Sequence, residues 1–95
     1  MAPTRKEIDN LANALGVTLL LADGFEEAFI GILMRPGDNV PVAVYDTESC
    51  EEILCVRDGM SPEESEEFLE FNVYGSYNGP TTPMFVTLAK KWEEG

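Results

Sequence analysis

The sequence predicts an α+β fold in one small domain covering residues 1–95. Three observations carry that prediction. Two capping boxes of the S/T-x-x-E form, starting at Thr4 and Ser61, each open a stretch with apolar residues at helical spacing. Between them, short β-prone runs are separated by clusters of Gly, Pro, Asn and Asp. Hydrophobic residues make up 44% of the chain, enough for a packed core and too many for wholesale disorder.

The first helix rests on Thr4-Arg5-Lys6-Glu7, after which Ile8, Leu11, Ala12 and Leu15 share a face until Gly16 stops it. Residues 17–21 (VTLLL) read as a strand and Ala22-Asp23-Gly24 as a turn. The apolar run 28–34 reads as a second, central strand, with Gly31 leaving room for a close neighbour. Arg35-Pro36-Gly37-Asp38-Asn39 makes the next turn, and residues 40–45 a third strand with Pro41 near its start. These three strands are expected to form an antiparallel meander. At Asp46 the period switches: Asp46 or Thr47 caps a helix that buries Cys50, Ile53 and Leu54, turns Glu48, Glu51 and Glu52 outward and ends at Gly59. Ser61-Pro62-Glu63-Glu64 opens a third helix, with Pro at its first position, expected to bury Phe68, Leu69 and Phe71 or Val73. Gly75, Gly79 and Pro80 interrupt the chain beyond this helix, residues 84–88 return as a C-terminal strand, and a charged tail ends the chain with Trp92 docking back.

Charge narrows function. Eighteen acids face 6 bases, for a formal net charge of -12. That field repels a polyanion, and so few bases cannot build the positive stripe that neutralises several phosphates, so no direct nucleic-acid binding is expected. There is no His, which removes a Ser/His/Asp triad, a Cys/His dyad, a His-ligated zinc and a histidine pH switch. No nucleophile has an adjacent base, so no catalytic residue, cofactor or metal is assigned. The longest apolar run is far below the roughly 20 residues that span a bilayer, and the N-terminus leads into a capped amphipathic segment rather than an apolar signal core. A cytosolic location is expected, and the two thiols agree: Cys50 and Cys55 on one helix lie on different faces, roughly 8 to 9 Å apart, too far to pair.

Two features invite binding. Ten of the acids fall between residues 46 and 70, where Arg57 is the only base. On the third helix Glu63, Glu66, Glu67 and Glu70 follow i, i+3, i+4, i+7 and line one face roughly 5 to 6 Å apart, similar to the phosphate spacing of a nucleic-acid strand. Such a stripe fits a basic groove on another protein; it also fits an ordinary solvated helix face. The second feature is the segment 71–83, FNVYGSYNGPTTP, in which Asn72, Tyr74, Tyr77, Asn78, Thr81 and Thr82 combine flat aromatic faces with neutral hydrogen-bonding groups beside two glycines. It suits a small ligand or a partner strand, or simply a helix end and a turn with half-buried tyrosines.

The stretch 57–85, RDGMSPEESEEFLEFNVYGSYNGPTTPMF, resembles a family of small acidic proteins encoded by phages and prophages, with the pattern RDGM-S-x-EE-A-x-E-[FY]-x-EFN-x-x-G-[AS]-[YW]-x-G-x-x-TP-x-F. Val42-Ala43-Val44-Tyr45-Asp46, with a Cys and an Ile-Leu pair soon after, extends the likeness over residues 25–88. Ser65 stands where Ala is commoner and Asn78 where Val or Met is usual. The family is of unassigned biochemical function, so the resemblance implies a mobile-element origin and no transferable site. It makes an accessory protein that works by binding the economical expectation. First comes inhibition of a host nucleic-acid-directed defence system, with the acidic helices mimicking nucleic acid for a host protein's basic groove. The alternatives are a sponge for a small nucleotide signal, using Tyr74, Tyr77 and the Thr81-Thr82 loop with Arg35 or Arg57, and a structural or housekeeping phage protein. Charge ranks mimicry ahead of the sponge, because an anionic nucleotide is repelled unless a local pocket inverts the field. The oligomeric state stays open, a homo-oligomer included.

Overall fold

In a computed structural model the described residues are 3–74 and 79–89. They form α1 (Arg5–Leu15), β1 (Phe29–Met34), β2 (Pro41–Asp46), α2 (Thr47–Asp58), α3 (Pro62–Leu69) and β3 (Met84–Val86), with a 3-10 turn at Glu26–Ala28 and a π-helical turn at Glu70–Tyr74. The fold is α+β, with three helices against a three-stranded sheet of order β1-β2-β3.

The sheet departs from the expected meander. β1 and β2 form the predicted antiparallel hairpin, but β3 lies parallel to β2, so the sheet is mixed and β2, not the 28–34 run, is central. Residues 17–21 form no strand. Two contacts explain this. The Ala22 amide donates to the Tyr45 hydroxyl at 2.9 Å, tying the segment to the core through a side chain rather than a ladder. The Glu26–Ala28 turn then consumes the stretch where a hairpin partner would begin. Leu19, Leu21 and Ala22 still pack partly buried against the core. Gly31 also serves another end than expected: it follows a β-bulge at Ile30, and a Cβ there would meet open space rather than a close neighbour. Pro41 opens β2, where its missing N–H removes little from the ladder.

The helices start and stop where their caps dictate. Thr4 and Glu7 complete the first capping box, and Gly16 closes α1 in the left-handed conformation that a residue with a Cβ resists. Asp46 caps α2 by accepting from the Ser49 amide, and Gly59 closes it. Ser61 and Glu64 form the second capping box with Pro62 at the first helical position. The core gathers Ile8, Phe25, Ala28, Phe29, Ala43, Tyr45, Cys50, Leu54 and Leu69. Tyr45 lies at its centre, edge-on to Phe29 and stacked on Phe85, which in turn meets Tyr74 at 4.9 Å between ring centroids.

Two helix faces need correction. In α1 only Ile8 and Ala12 are buried; Leu11 and Leu15 are exposed, because among the described residues no element covers that side. In α3 the buried pair is Ser65 and Leu69, while Phe68 is 37% exposed and Phe71 78% exposed. Ser65 is small enough to bring α3 close to α2, where it lies 3.8 Å from the Cys55 sulfur and donates back to the Pro62 carbonyl. That close approach turns the aromatic residues outward. The π-helical turn then swings Val73 and Tyr74 back toward the core and leaves Phe71 outside. Both cysteines are free, Cys50 buried and Cys55 half-buried.

Candidate functional site

Glu63, Glu66 and Glu67 lie on α3, and Glu70 at its C-terminal cap. All four are exposed. With Ser65 and Leu69 facing the core and about 100° between successive residues, Glu66, Glu70, Glu63 and Glu67 fan across the outer half of the helix. Ser65 and Leu69 thus hold the stripe rigidly outward. Among the described residues none of the four forms an ion pair: the salt bridges join Arg5 to Asp9 and Asp23, Arg35 to Asp38 and Arg57 to Asp58. Among the described residues nothing neutralises the stripe.

It also extends onto α2. Burial raises the Glu51 carboxyl above the ordinary carboxylate range, and the charges of Glu66, Glu48 and Asp46 add to the rise. The Glu66 charge thus reaches Glu51 across the α2–α3 seam. Beneath it lies a buried polar corner. Asp46 is buried with Oδ2 accepting from the amide and hydroxyl of Ser49, while its Oδ1 and the Tyr74 hydroxyl have no hydrogen-bond partner among the described residues. Burial holds the Tyr74 proton well above its ordinary range, with Cys50, Glu51, Asp46 and Glu66 contributing. The Cys50 thiol is pushed up to about 12, first by burial and then by Asp46 and Glu51, so it is a protonated core residue at neutral pH.

The segment singled out as a ligand loop is divided by the fold. Tyr74 packs inward on Phe85. Asn72 and Thr82 line a depression of about 240 Å³ together with Asp23, Phe25, Val73 and Phe85. Thr81 is half-buried in the turn beside it, where the Thr82 hydroxyl donates to the Gly79 carbonyl at 2.7 Å. Tyr77 and Asn78 lie outside the described residues, as does Trp92. The depression's described lining residues include a carboxylate, Asp23, which pairs with Arg5 at 3.1 Å, and no base. The two arginines considered as phosphate partners are engaged elsewhere. Arg35 pairs with Asp38 and donates to the Pro80 carbonyl at 2.8 Å. Arg57 pairs with Asp58, donates to the Gly24 carbonyl at 2.9 Å and covers the Phe25 ring at 5.7 Å.

Sequence reasoning missed one surface. Met60, Phe68 and Phe71 border an open groove of about 340 Å³, walled by Glu64, Glu67 and Asn72. The signal was present in Phe68 at the end of α3 and Phe71 in the turn after it, two aromatic residues for which the narrow core face has no place once Ser65 and Leu69 occupy it. Among the described residues no cluster of three acids or thiols is arranged to hold a metal ion, and no helix is long and apolar enough to cross a membrane. Comparison with protein-family models, curated proteins and solved structures found no match to this chain.

Proposed function

We propose that the protein works by binding, presenting the outer face of α3 and the adjoining part of α2 to a basic groove on a host protein that otherwise holds nucleic acid. The observation that carries this reading is the unneutralised stripe: Glu63, Glu66, Glu67 and Glu70 point outward from a rigid, capped support and make no ion pair among the described residues. Like charges at i, i+4 cost stability, so a surface serving only solubility gains nothing from this arrangement. A partner rich in Lys and Arg does. The resemblance to small phage-encoded proteins gives the reading its setting: a host nucleic-acid-directed defence protein is the partner class, and inhibition by occupation of its groove is the mechanism.

The nucleotide-sponge alternative draws less support. The described lining of its depression includes Asp23 and no base, and the nearby arginines are already engaged: Arg5 with Asp9 and Asp23, Arg35 and Arg57 with neighbouring carboxylates and carbonyls. An anionic ligand would have to compete with these carboxylates for a positive charge.

The test is replacement of all four glutamates by Gln, which keeps shape and helix propensity while removing four charges. Folding should be retained, with stability unchanged or slightly higher as repulsion is relieved. Proteins captured from a host lysate by the immobilised wild-type chain should elute as salt rises and should release bound nucleic acid on capture. The quadruple variant should associate more slowly and bind at least about tenfold more weakly, because steering depends on the summed field. A folded quadruple variant that captures the same partner with the same salt dependence would reduce the stripe to a solvated surface.

A further inference from the structure

The groove beside the stripe assigns a shape to the partner. We infer that Met60, Phe68 and Phe71 seat the apolar face of a basic amphipathic helix from the partner protein, with Phe71 as the anchoring residue. This rests on the reading of the α3 glutamates as the charged part of an interface and adds a second, apolar part to it.

Single exposed apolar residues are ordinary on protein surfaces; two exposed phenylalanines on one groove, with the half-buried Met60 beside them, make a patch that a partner can cover. Phe71 is 78% exposed and Phe68 37% exposed, and the half-buried Met60 lines the same groove. Aromatic residues of this kind dominate interface energetics when a partner covers them. Charge fixes the partner's flanks. Glu64 and Glu67 wall the groove, Glu67 belongs to the acidic stripe as well, and no described lining residue is basic. An occupant must therefore be apolar along its centre and positive at its margins. A second copy of this chain fits poorly, since it would set Glu64 and Glu67 of each copy against the other's under a net charge of -12.

Backbone geometry selects a helix. The groove lies along α3 and its π-helical extension, where amides and carbonyls are satisfied within the helix, so an extended strand gains no ladder there. Contact must be made by side chains. The 8 residues of α3 span roughly 12 Å, about two turns, which matches apolar anchors at i, i+3 or i+4, and i+7. Phe68 and Phe71 sit on the flank away from Glu66, so one helix can place its apolar stripe on the aromatic pair and its Lys or Arg residues on Glu64 and Glu67.

Two fluorescent peptides of equal Leu, Lys and Ala composition provide the probe: one with Leu at helical spacing and Lys flanking it, the other scrambled so that no apolar face forms. The full-length chain should bind the amphipathic peptide at least tenfold more tightly. Phe71→Ala, at an exposed position, should melt within a few degrees of the parent and bring the two affinities together, while leaving the salt dependence of the remaining binding intact. The quadruple Gln variant should weaken both peptides and flatten their salt dependence. Equal affinity of the wild-type chain for the two peptides, with strong salt dependence, would overturn the groove and leave the charge reading standing. Absence of salt-sensitive binding by either would overturn both. A wild-type dimer in sedimentation that Phe71→Ala converts to monomer would also overturn the assignment, by placing a second copy in the groove.

Discussion

In α1, Thr4 accepts from the Glu7 amide at 3.2 Å while Glu7 accepts from the Thr4 amide at 2.8 Å; in α3, Ser61 and Glu64 repeat the exchange at 3.1 and 2.9 Å. Each helix then offers a two-residue core face, Ile8 and Ala12 in one, Ser65 and Leu69 in the other. Their outer faces differ. α1 mixes signs, and Arg5 bridges to Asp9 and Asp23. α3 carries glutamates without a base in its own sequence or an ion pair among the described residues. The helices need the same things to fold and obtain them in the same way, so the difference in charge is not a folding requirement. It is a property of the surface that α3 shows to the outside.

Substitutions at the core faces break this likeness most directly. Ile8→Ala and Leu69→Ala each remove a fully buried aliphatic side chain and should cost about 2 to 5 kcal/mol. For a domain of this size that approaches the whole stability, so both variants should be largely unfolded at 37 °C by circular dichroism. Phe68→Ala, despite removing more atoms, should cost about 1 kcal/mol and leave a cooperative melt, because the ring is partly solvated in the folded chain. A Phe68→Ala variant as damaged as Leu69→Ala would mean that the inward face of α3 is the one predicted from its aromatic residues.

The caps come next. Thr4→Ala and Ser61→Ala should each lower stability by about 1 kcal/mol, measured by urea unfolding, since each deletes the acceptor for an otherwise orphaned amide. Equal losses would sharpen the view that helix initiation is local and interchangeable. A much larger loss at Ser61 would show that the cap also holds α3 against α2.

The smallest effect separates the charge environments. Glu51 keeps its proton in the folded chain to a higher pH than in the unfolded one, through burial and then the charges of Glu66, Glu48 and Asp46. The folded state thus binds more protons in the window just above pH 4.5, the ordinary glutamate value, and stability should fall as pH rises through that window and recover as pH is lowered back. Glu51→Gln should flatten this slope. At lower pH the sign reverses: Asp38 and Asp58 are held below the ordinary aspartate value of 3.8 by Arg35 and Arg57, and protonating them removes those contributions. Urea unfolding between pH 3 and 7 reads both slopes, and a Glu51→Gln profile identical to the parent's would uncouple the α2 and α3 acids.

What was legible in the sequence was what four or five adjacent residues decide. Both capping boxes, Asp46 as the α2 cap, the glycine stops at Gly16 and Gly59 and the turn at Arg35 to Asn39 depend on neighbours in the chain. The exposed stripe was legible too, since its spacing alone places it on one face. Residues 17–21 were misread because the segment is tied down just beyond them, where the Ala22 amide donates to the Tyr45 hydroxyl of β2, and intrinsic β-propensity carries no knowledge of it. Phe68 and Phe71 were misread because hydrophobicity favoured the aromatic face, whereas the close α2–α3 packing favoured the face with the small Ser65. The groove that resulted is a tertiary product, visible only once the faces are settled.

The parallel placement of β3 has a kinetic consequence. Met34 pairs with Pro41 across one short turn, but Val44 pairs with Met84 and Tyr45 with Phe85, partners separated by 40 positions along the chain. The entropy of closing a loop grows with its length, so the hairpin of β1 and β2 can form early while β3 must wait until α2 and α3 have shortened the path between its ends. Until then the side of Tyr45 that Phe85 covers, at 5.5 Å between ring centroids, is open to water. On this loop-closure argument the stacked pair is expected to form late in assembly, after the β1–β2 hairpin.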